Sequence, residues 1–233
     1  MAEHETVADI ARQFDLRAPE YDESAFHPEL AVETIRFAGA HGARSVLDVA
    51  TGTALVLRAF APDSVDRLVG IDVSNGMLEV ARAHLPHAEL LQADAMGPLP
   101  FPDGAFDLIT CVTALHLLLD PSDALREWRR LLARGGRVVV AVFRTGDLSD
   151  VPEVEEAAHS GEVRHPHGSH PLRHERTGTI EALSSIASDA GLRLVRHETW
   201  VRRDPLEVCL LAELVPAAGD EEPRSAGSHA PGA

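Results

Sequence analysis

Apolar positions fall along this chain in two kinds of run that alternate. Residues 46–49, 67–72, 88–92, 108–112 and 137–143 are short, nearly unbroken apolar stretches, the texture of parallel strands buried on both faces. Between and before them, apolar residues recur at helical spacing over 3–16 and 28–40, again after Ser74, and from Pro121 and Ser122 through Leu132. Ser74 suits a helix N-cap, and Arg134-Gly135-Gly136 reads as the stop of the helix that Pro121 opens. Leu192 to Val201 and Leu206 to Val215 supply two last strands, turned around Asp204-Pro205 as a hairpin. Strands alternating with helices, then a terminal hairpin, predict an α/β fold: a doubly wound seven-stranded sheet whose last strand is antiparallel.

The same pattern divides the chain. Residues 1–42 form an N-terminal helical lid, 43–215 a single core, with a long insertion at 144–177 inside it. From Pro216 onward, Ala, Gly, Pro, Ser and acidic residues cannot build a core, so 216–233 is expected to be a disordered tail. With 233 residues and 45% apolar composition, one sizeable core is affordable. No apolar stretch reaches membrane-spanning length, and Met1-Ala2-Glu3-His4-Glu5 is too polar for a secretory signal, so no membrane partner and a cytoplasmic location are expected.

Charge narrows the partners. A formal net charge of -16 disfavours nucleic acid, which is bound through clustered cations, and leaves a small molecule as the expected substrate. All 21 basic residues are Arg, which excludes a lysine Schiff base or a lysine phosphate loop and fits a GC-rich bacterial genome. Cys111 and Cys209 sit inside apolar runs and read as packed thiols.

The densest chemistry lies at Ser45-Val46-Leu47-Asp48-Val49-Ala50-Thr51-Gly52-Thr53-Ala54, with Asp72 ending a second apolar run twenty positions after Gly52. Small residues here let backbone approach a ligand, amides opening the next helix suit a carboxylate or phosphate, and Asp72 can accept from two ribose hydroxyls. A dinucleotide fingerprint would read G-x-G-x-x-G without an acidic residue in the strand. Asp48-x-Ala50-x-Gly52-x-Ala54 instead resembles motif I of the class I S-adenosylmethionine-dependent methyltransferases, a family with a Rossmann-like sheet. Its wording Asp-Val-Ala-Thr-Gly-Thr is similar to the variant in ubiquinone and menaquinone methyltransferases. The resemblance, which extends over roughly residues 18 to 215, implies S-adenosyl-L-methionine as cofactor, with Asp48 near its methionine end and Ala50 and Gly52 in the loop beside it. It also implies Asp72 on the ribose, Met77 with Val73 against the adenine, Asp94 with Ala95 at the adenine amino group, and Cys111 in the site wall. Tyr21, in a Tyr-Asp pair before the first strand, would fold over the methionine or sulfonium end, or else serve as an interface between lid and core. Asp94 could equally cap a turn. Ala54 departs from the family's usual glycine, and its methyl is expected to narrow the pocket.

Methyl transfer is an in-line displacement, and a hydroxyl nucleophile must also lose its proton. His116, just after the fourth strand, is the candidate general base, against a plain packing role in Leu115-His116-Leu117. In the insertion, His159, His165, His167, His170 and His174 cluster beside Arg164, Arg173 and Arg176. His167, His170 and Arg173 are the candidate substrate contacts, suited to an acidic or phenolic molecule; a solvated loop and a histidine-bound metal are the other readings. The expectation is a methyltransferase acting on an O or N nucleophile of a small molecule, of bacterial secondary metabolism, as monomer or homodimer. The alternative is the same fold repurposed for a non-methylating reaction, with or without a metal.

Overall fold

Four hydroxyl or carboxylate side chains decide where helices begin. In the computed structural model, which describes residues 6–39, 42–61, 64–154, 156 and 174–217, Thr6 opens α1 (Val7–Arg17) through a reciprocal capping box with Asp9. Ser74 caps α4 (Asn75–His84), Asp120 caps α5 (Pro121–Leu131) ahead of a proline at the first turn, and Thr179 caps α6 (Ile180–Asp189). Between α1 and α2 (Phe26–Ala38) lies a 3-10 turn, Ala18–Glu23.

The strands are β1 (Ser45–Val49), β2 (Arg67–Asp72), β3 (Glu89–Gln92), β4 (Phe106–Val112), β5 (Leu132–Phe143), β6 (Leu192–Arg203) and β7 (Leu206–Pro216). They form one sheet in the order β3-β2-β1-β4-β5-β7-β6. β1 to β5 pair in parallel; β7 is inserted antiparallel between β5 and β6, as the terminal hairpin predicts. Central strands are buried almost throughout, whereas β3 and β6, at the two edges, carry exposed polar positions.

Both faces of the sheet are covered. On one, Trp128, Leu125, Leu131 and Leu183 from α5 and α6 pack on Leu47, Ile109 and Val140. On the other, Phe26, Leu30 and Phe37 from α2 and Leu57 from α3 (Leu55–Arg58) pack on Val46, Leu108 and Val139. Burying large side chains such as these contributes about 1.5–3 kcal/mol each.

Two local expectations are corrected. α5 ends at Leu131, and the chain enters β5 directly at Leu132, so Arg134-Gly135-Gly136 is not a helix stop. These residues form an irregularity in the β4–β5 ladder, where Gly135 takes φ +76° and a side chain on Gly136 would strike the Ala133 and Phe106 carbonyls at 2.9 and 3.0 Å. The helix after β1 is a single turn, too short to gather amides for an anion.

α1 stands apart from the core. None of its residues is fully buried, and its apolar positions Val7, Ile10 and Phe14 line a cavity instead. Its C-terminal end is tied to α4: Asp15 accepts from the Ser74 hydroxyl at 2.6 Å and from the Gly76 amide at 2.8 Å. Glycine lets the two segments come this close, since a Cβ at Gly76 would crowd Asp15 Cα at 3.1 Å. These bonds hold the Asp15 carboxyl below its usual pKa, the Ser74 hydroxyl foremost. Asp22 gives a second tie, accepting from the Thr53 hydroxyl at 2.5 Å and pairing with Arg58 at 2.6 Å.

Candidate active site

The turn after β1 is built from backbone that L-residues seldom adopt. Ala50, Gly52 and Ala54 have φ of +54°, +55° and +66°, a conformation that costs an alanine roughly 1–2 kcal/mol. The strained turn brings Gly52 under Asp72, whose Oδ2 accepts the Gly52 amide at 2.8 Å while Oδ1 accepts the Ser74 amide at 2.8 Å. Asp72 at the tip of β2 is thus fixed by two backbone donors, with lone pairs left on both oxygens. Burial raises its pKa, and the Ser74, Gly52 and Val73 amides oppose that rise.

Asp48 is held from the sheet itself. Register sets it opposite Gly70 on β2 and Thr110 on β4; Thr110 donates to Oδ1 at 2.6 Å and Thr51 to Oδ2 at 2.7 Å. Gly70 is required here, because a Cβ would come within 2.8 Å of the Thr51 methyl. Burial pushes the Asp48 carboxyl up to about 7, against the two hydroxyls that lower it.

Two cavities open at the carboxyl ends of β1, β2 and β4. The larger, about 770 Å³, takes in Asp72, Val73, Met77, Asp94 and Ala95, with α1 as one wall and Leu117, Leu118 and Leu119 as another. The smaller, about 360 Å³, takes in Asp48, Thr51, Leu55, Ala31 and His27. Tyr21, Ala50, Gly52, Val112 and Thr113 line both and mark the boundary between them, called the neck below. A Cβ on Gly52 would sit 4.0 Å from both Met77 Sδ and Tyr21 Cε1, so the glycine lies between the two side chains. Tyr21 stacks on His27 with ring centroids 4.4 Å apart, and its hydroxyl is 3.5 Å from His27 Nδ1. Burial pushes the Tyr21 phenol up to about 12, with the nearby Arg17 charge opposing; the hydroxyl stays protonated at neutral pH.

Of the residues expected from sequence, Tyr21, Ala50, Gly52, Asp72, Val73, Met77, Asp94 and Ala95 therefore line the larger cavity, and Asp48 the smaller. Asp94 also accepts the Met96 amide at 3.0 Å, so it closes a turn and borders the cavity at once. Cys111 does not belong with them: it is fully buried in β4, lines neither cavity, and burial pushes its thiol pKa up. Ala54 is corrected as well. It is fully buried and packs with Phe26, Leu57 and Leu108, so its methyl fills core rather than narrowing the pocket.

His116 is corrected as a base within the cavity. Leu115–Leu117 is a 3-10 turn, and the His116 ring packs on His174, 4.0 Å between centroids, and on Phe143, 6.0 Å, while lining neither cavity. His167, His170 and Arg173 lie outside the described residues, as does most of the histidine cluster. Among the described residues, no three His, Cys, Asp or Glu side chains gather as a metal site would need, and no helix is long and apolar enough to cross a membrane. Sequence reasoning missed His27, Thr110, Thr113 and Asp15. Each is brought in by packing between elements, and only the Tyr21-to-His27 spacing of six could have hinted at one of them.

A doubly wound sheet with acidic residues at the ends of β1, β2 and β3, all facing the cavities there, defines a protein of the α/β class whose cleft has the chemistry to take a nucleoside. The comparisons with known proteins give that class a family. A model described as a methyltransferase domain matches residues 47–140. A demethylmenaquinone methyltransferase of Renibacterium salmoninarum is 34% identical over 144 residues, covering 58% of this chain and 59% of the relative. A ubiquinone/menaquinone biosynthesis C-methyltransferase of Hahella chejuensis is 34% identical, covering 60% and 61%. The chain thus spans about three fifths of the length of these two relatives. Among solved structures, the N-methyltransferase NodS of Bradyrhizobium japonicum, in complex with S-adenosyl-L-homocysteine, superposes with TM-score 0.64 at 19% identity, covering 88% of this chain and 96% of that one. The [4+2]-cyclase SpnF superposes with TM-score 0.66 at 18% identity, covering 91% and 97%. These two likenesses concern the fold. Over residues 47–140, then, the chain is similar to a methyltransferase domain.

Proposed function

We propose that this protein binds S-adenosylmethionine across the two joined cavities and transfers its methyl group to a small molecule. The observation that carries this reading is the division of labour between the cavities. In the larger one, Asp72 and Asp94 offer acceptors suited to ribose hydroxyls and an adenine amino group, and Met77 with Val73 offers an apolar bed for the base. In the smaller one, Asp48 suits the ammonium of the methionine end. The cofactor supplies an electrophilic methyl group on a sulfonium. The chain's own part is to fix both ends, hold Tyr21 over the neck and keep water out with α1 and Leu117 to Leu119.

The walls beside the neck also bear on the acceptor. Phe14, Ile10, Leu117 and Leu118 favour an apolar or aromatic molecule, which keeps a phenolic ring and weakens a strongly acidic one. The sequence reading of an O or N nucleophile stands beside a third possibility taken from the relatives' names, a ring carbon of a quinone precursor. Incubation with methyl-labelled S-adenosylmethionine and a panel of hydroquinones, phenols and amines tests all three; mass spectrometry and NMR locate the label on carbon, oxygen or nitrogen. The likeness to a [4+2]-cyclase favours one second reading, a cofactor-binding protein that catalyses another reaction. Tight cofactor binding with no transfer to any acceptor of the panel would favour that reading.

A further inference from the structure

The amino-acid tail of S-adenosylmethionine carries a carboxylate as well as an ammonium, and the carboxylate needs donors when it leaves water. The turn after β1 provides few. The Gly52 amide is already given to Asp72, and the Thr51 hydroxyl to Asp48. Acidic groups abound, with Asp48, Asp72 and Asp94 around the two cavities, and no Arg lines either of them among the described residues. His27 is the only basic side chain among the described residues that do. It sits in the smaller cavity with Asp48, about nine-tenths buried, on the far side of the neck from Asp72 and Asp94.

Its placement is built. α2 carries His27 one residue after Phe26, whose ring meets the imidazole edge-on at 4.9 Å between centroids, while Tyr21 stacks on the imidazole at an interplanar angle of 15°. Phe26 is in turn locked among Phe143 and Trp200 at 5.5 and 5.9 Å. The ring is therefore oriented by aromatic neighbours from α2, the 3-10 turn, β5 and β6. Resting on the cofactor reading above, we propose that His27 binds the carboxylate of the cofactor's amino-acid tail, so that His27 and Asp48 together recognise the two charges of that tail in the smaller cavity.

The test compares two ligands on the full chain. S-adenosylhomocysteine has the tail; 5′-methylthioadenosine has the same nucleoside and thioether without it. His27→Phe keeps the ring stack on Tyr21 and removes the donor, so it should weaken S-adenosylhomocysteine by roughly tenfold or more in calorimetric titration and leave methylthioadenosine within about twofold of wild type. Equal losses for both ligands would overturn the assignment, because His27 would then only support Tyr21 and the neck. No loss for either, with slower turnover, would overturn it in favour of proton transfer. If wild type binds neither ligand, the cofactor reading fails and takes this one with it. Where His27→Phe does not fold, the wild type decides: the His27 ring resonances should shift in NMR on adding S-adenosylhomocysteine and not on adding methylthioadenosine. The same shift with both ligands would refute the proposal.

Discussion

At the scale of single residues, the two central carboxylates differ in what holds them, and that difference is measurable. Asp72 accepts the Gly52 and Ser74 amides, so Asp72→Ala removes the proposed ribose acceptor and also leaves both amides, the Ser74 one buried, without their acceptor. Cofactor affinity should fall about 10- to 100-fold, for charge-assisted bonds of about 1.5–3 kcal/mol, and thermal stability should fall as well; calorimetry and a melting curve read the two effects separately. Asp48 predicts a pH effect. Its carboxyl is raised from 3.8 to about 7 in the folded protein, so the folded state holds the proton more tightly than the unfolded chain. The stability this lends is complete below about pH 4 and lost as pH rises towards 7. Glu207, also raised to about 7 by burial, pulls the same way. Comparing wild type with Asp48→Asn cancels it: in chemical denaturation of the ligand-free proteins, the stability of wild type minus that of the variant should decrease between pH 4 and 7. A constant difference would contradict the assignment. Ala54→Gly, in contrast, should leave cofactor affinity within about twofold, because that methyl lies in the core and not in the cavity.

At the scale of elements, the informative one is α1. A helix with no fully buried residue and an apolar face on a cavity gains its packing only when something fills that cavity. Bound cofactor should therefore slow hydrogen exchange across Val7–Arg17 more than across α5, whose Trp128 and Leu125 are already in the core. The Asp15 tie to Ser74 and Gly76 sets the resting position of the helix. Asp15→Ala should speed exchange in α1 of the free protein and weaken cofactor binding by several-fold, about 1 kcal/mol for an exposed capping contact. Unchanged exchange would show that the apolar face alone seats the helix. Element identity was largely legible in sequence because caps and periodicity are local signals. β5 was read too short for the opposite reason: Leu132 to Gly136 lacks an apolar run and is strand only because Phe106 and Leu132 pair across the sheet.

At the scale of the whole molecule, the doubly wound architecture followed from the alternation of runs, since a parallel sheet buried on both faces must have helices crossing over each face. Most of the cavity lining at the ends of β1, β2 and β3 was equally legible, because those residues are positioned by the fold that the same sequence announces. The rest depends on distant packing. His27 reaches the smaller cavity from α2, and His116 lies outside both cavities, its 3-10 turn packing the ring on His174. The six-residue spacing from Tyr21 is the one hint of His27 along the chain, and no spacing encodes the place of His116. What unites the description is the claim that two cavities, joined at Tyr21 and Gly52, receive one S-adenosylmethionine. The direct test is calorimetric titration of the full chain with S-adenosylhomocysteine, beside the Asp72→Ala variant. Binding in the micromolar range, about -8 kcal/mol, with one ligand per chain and a marked loss in the variant, is the predicted result; no binding by wild type, or equal binding by the variant, would contradict it.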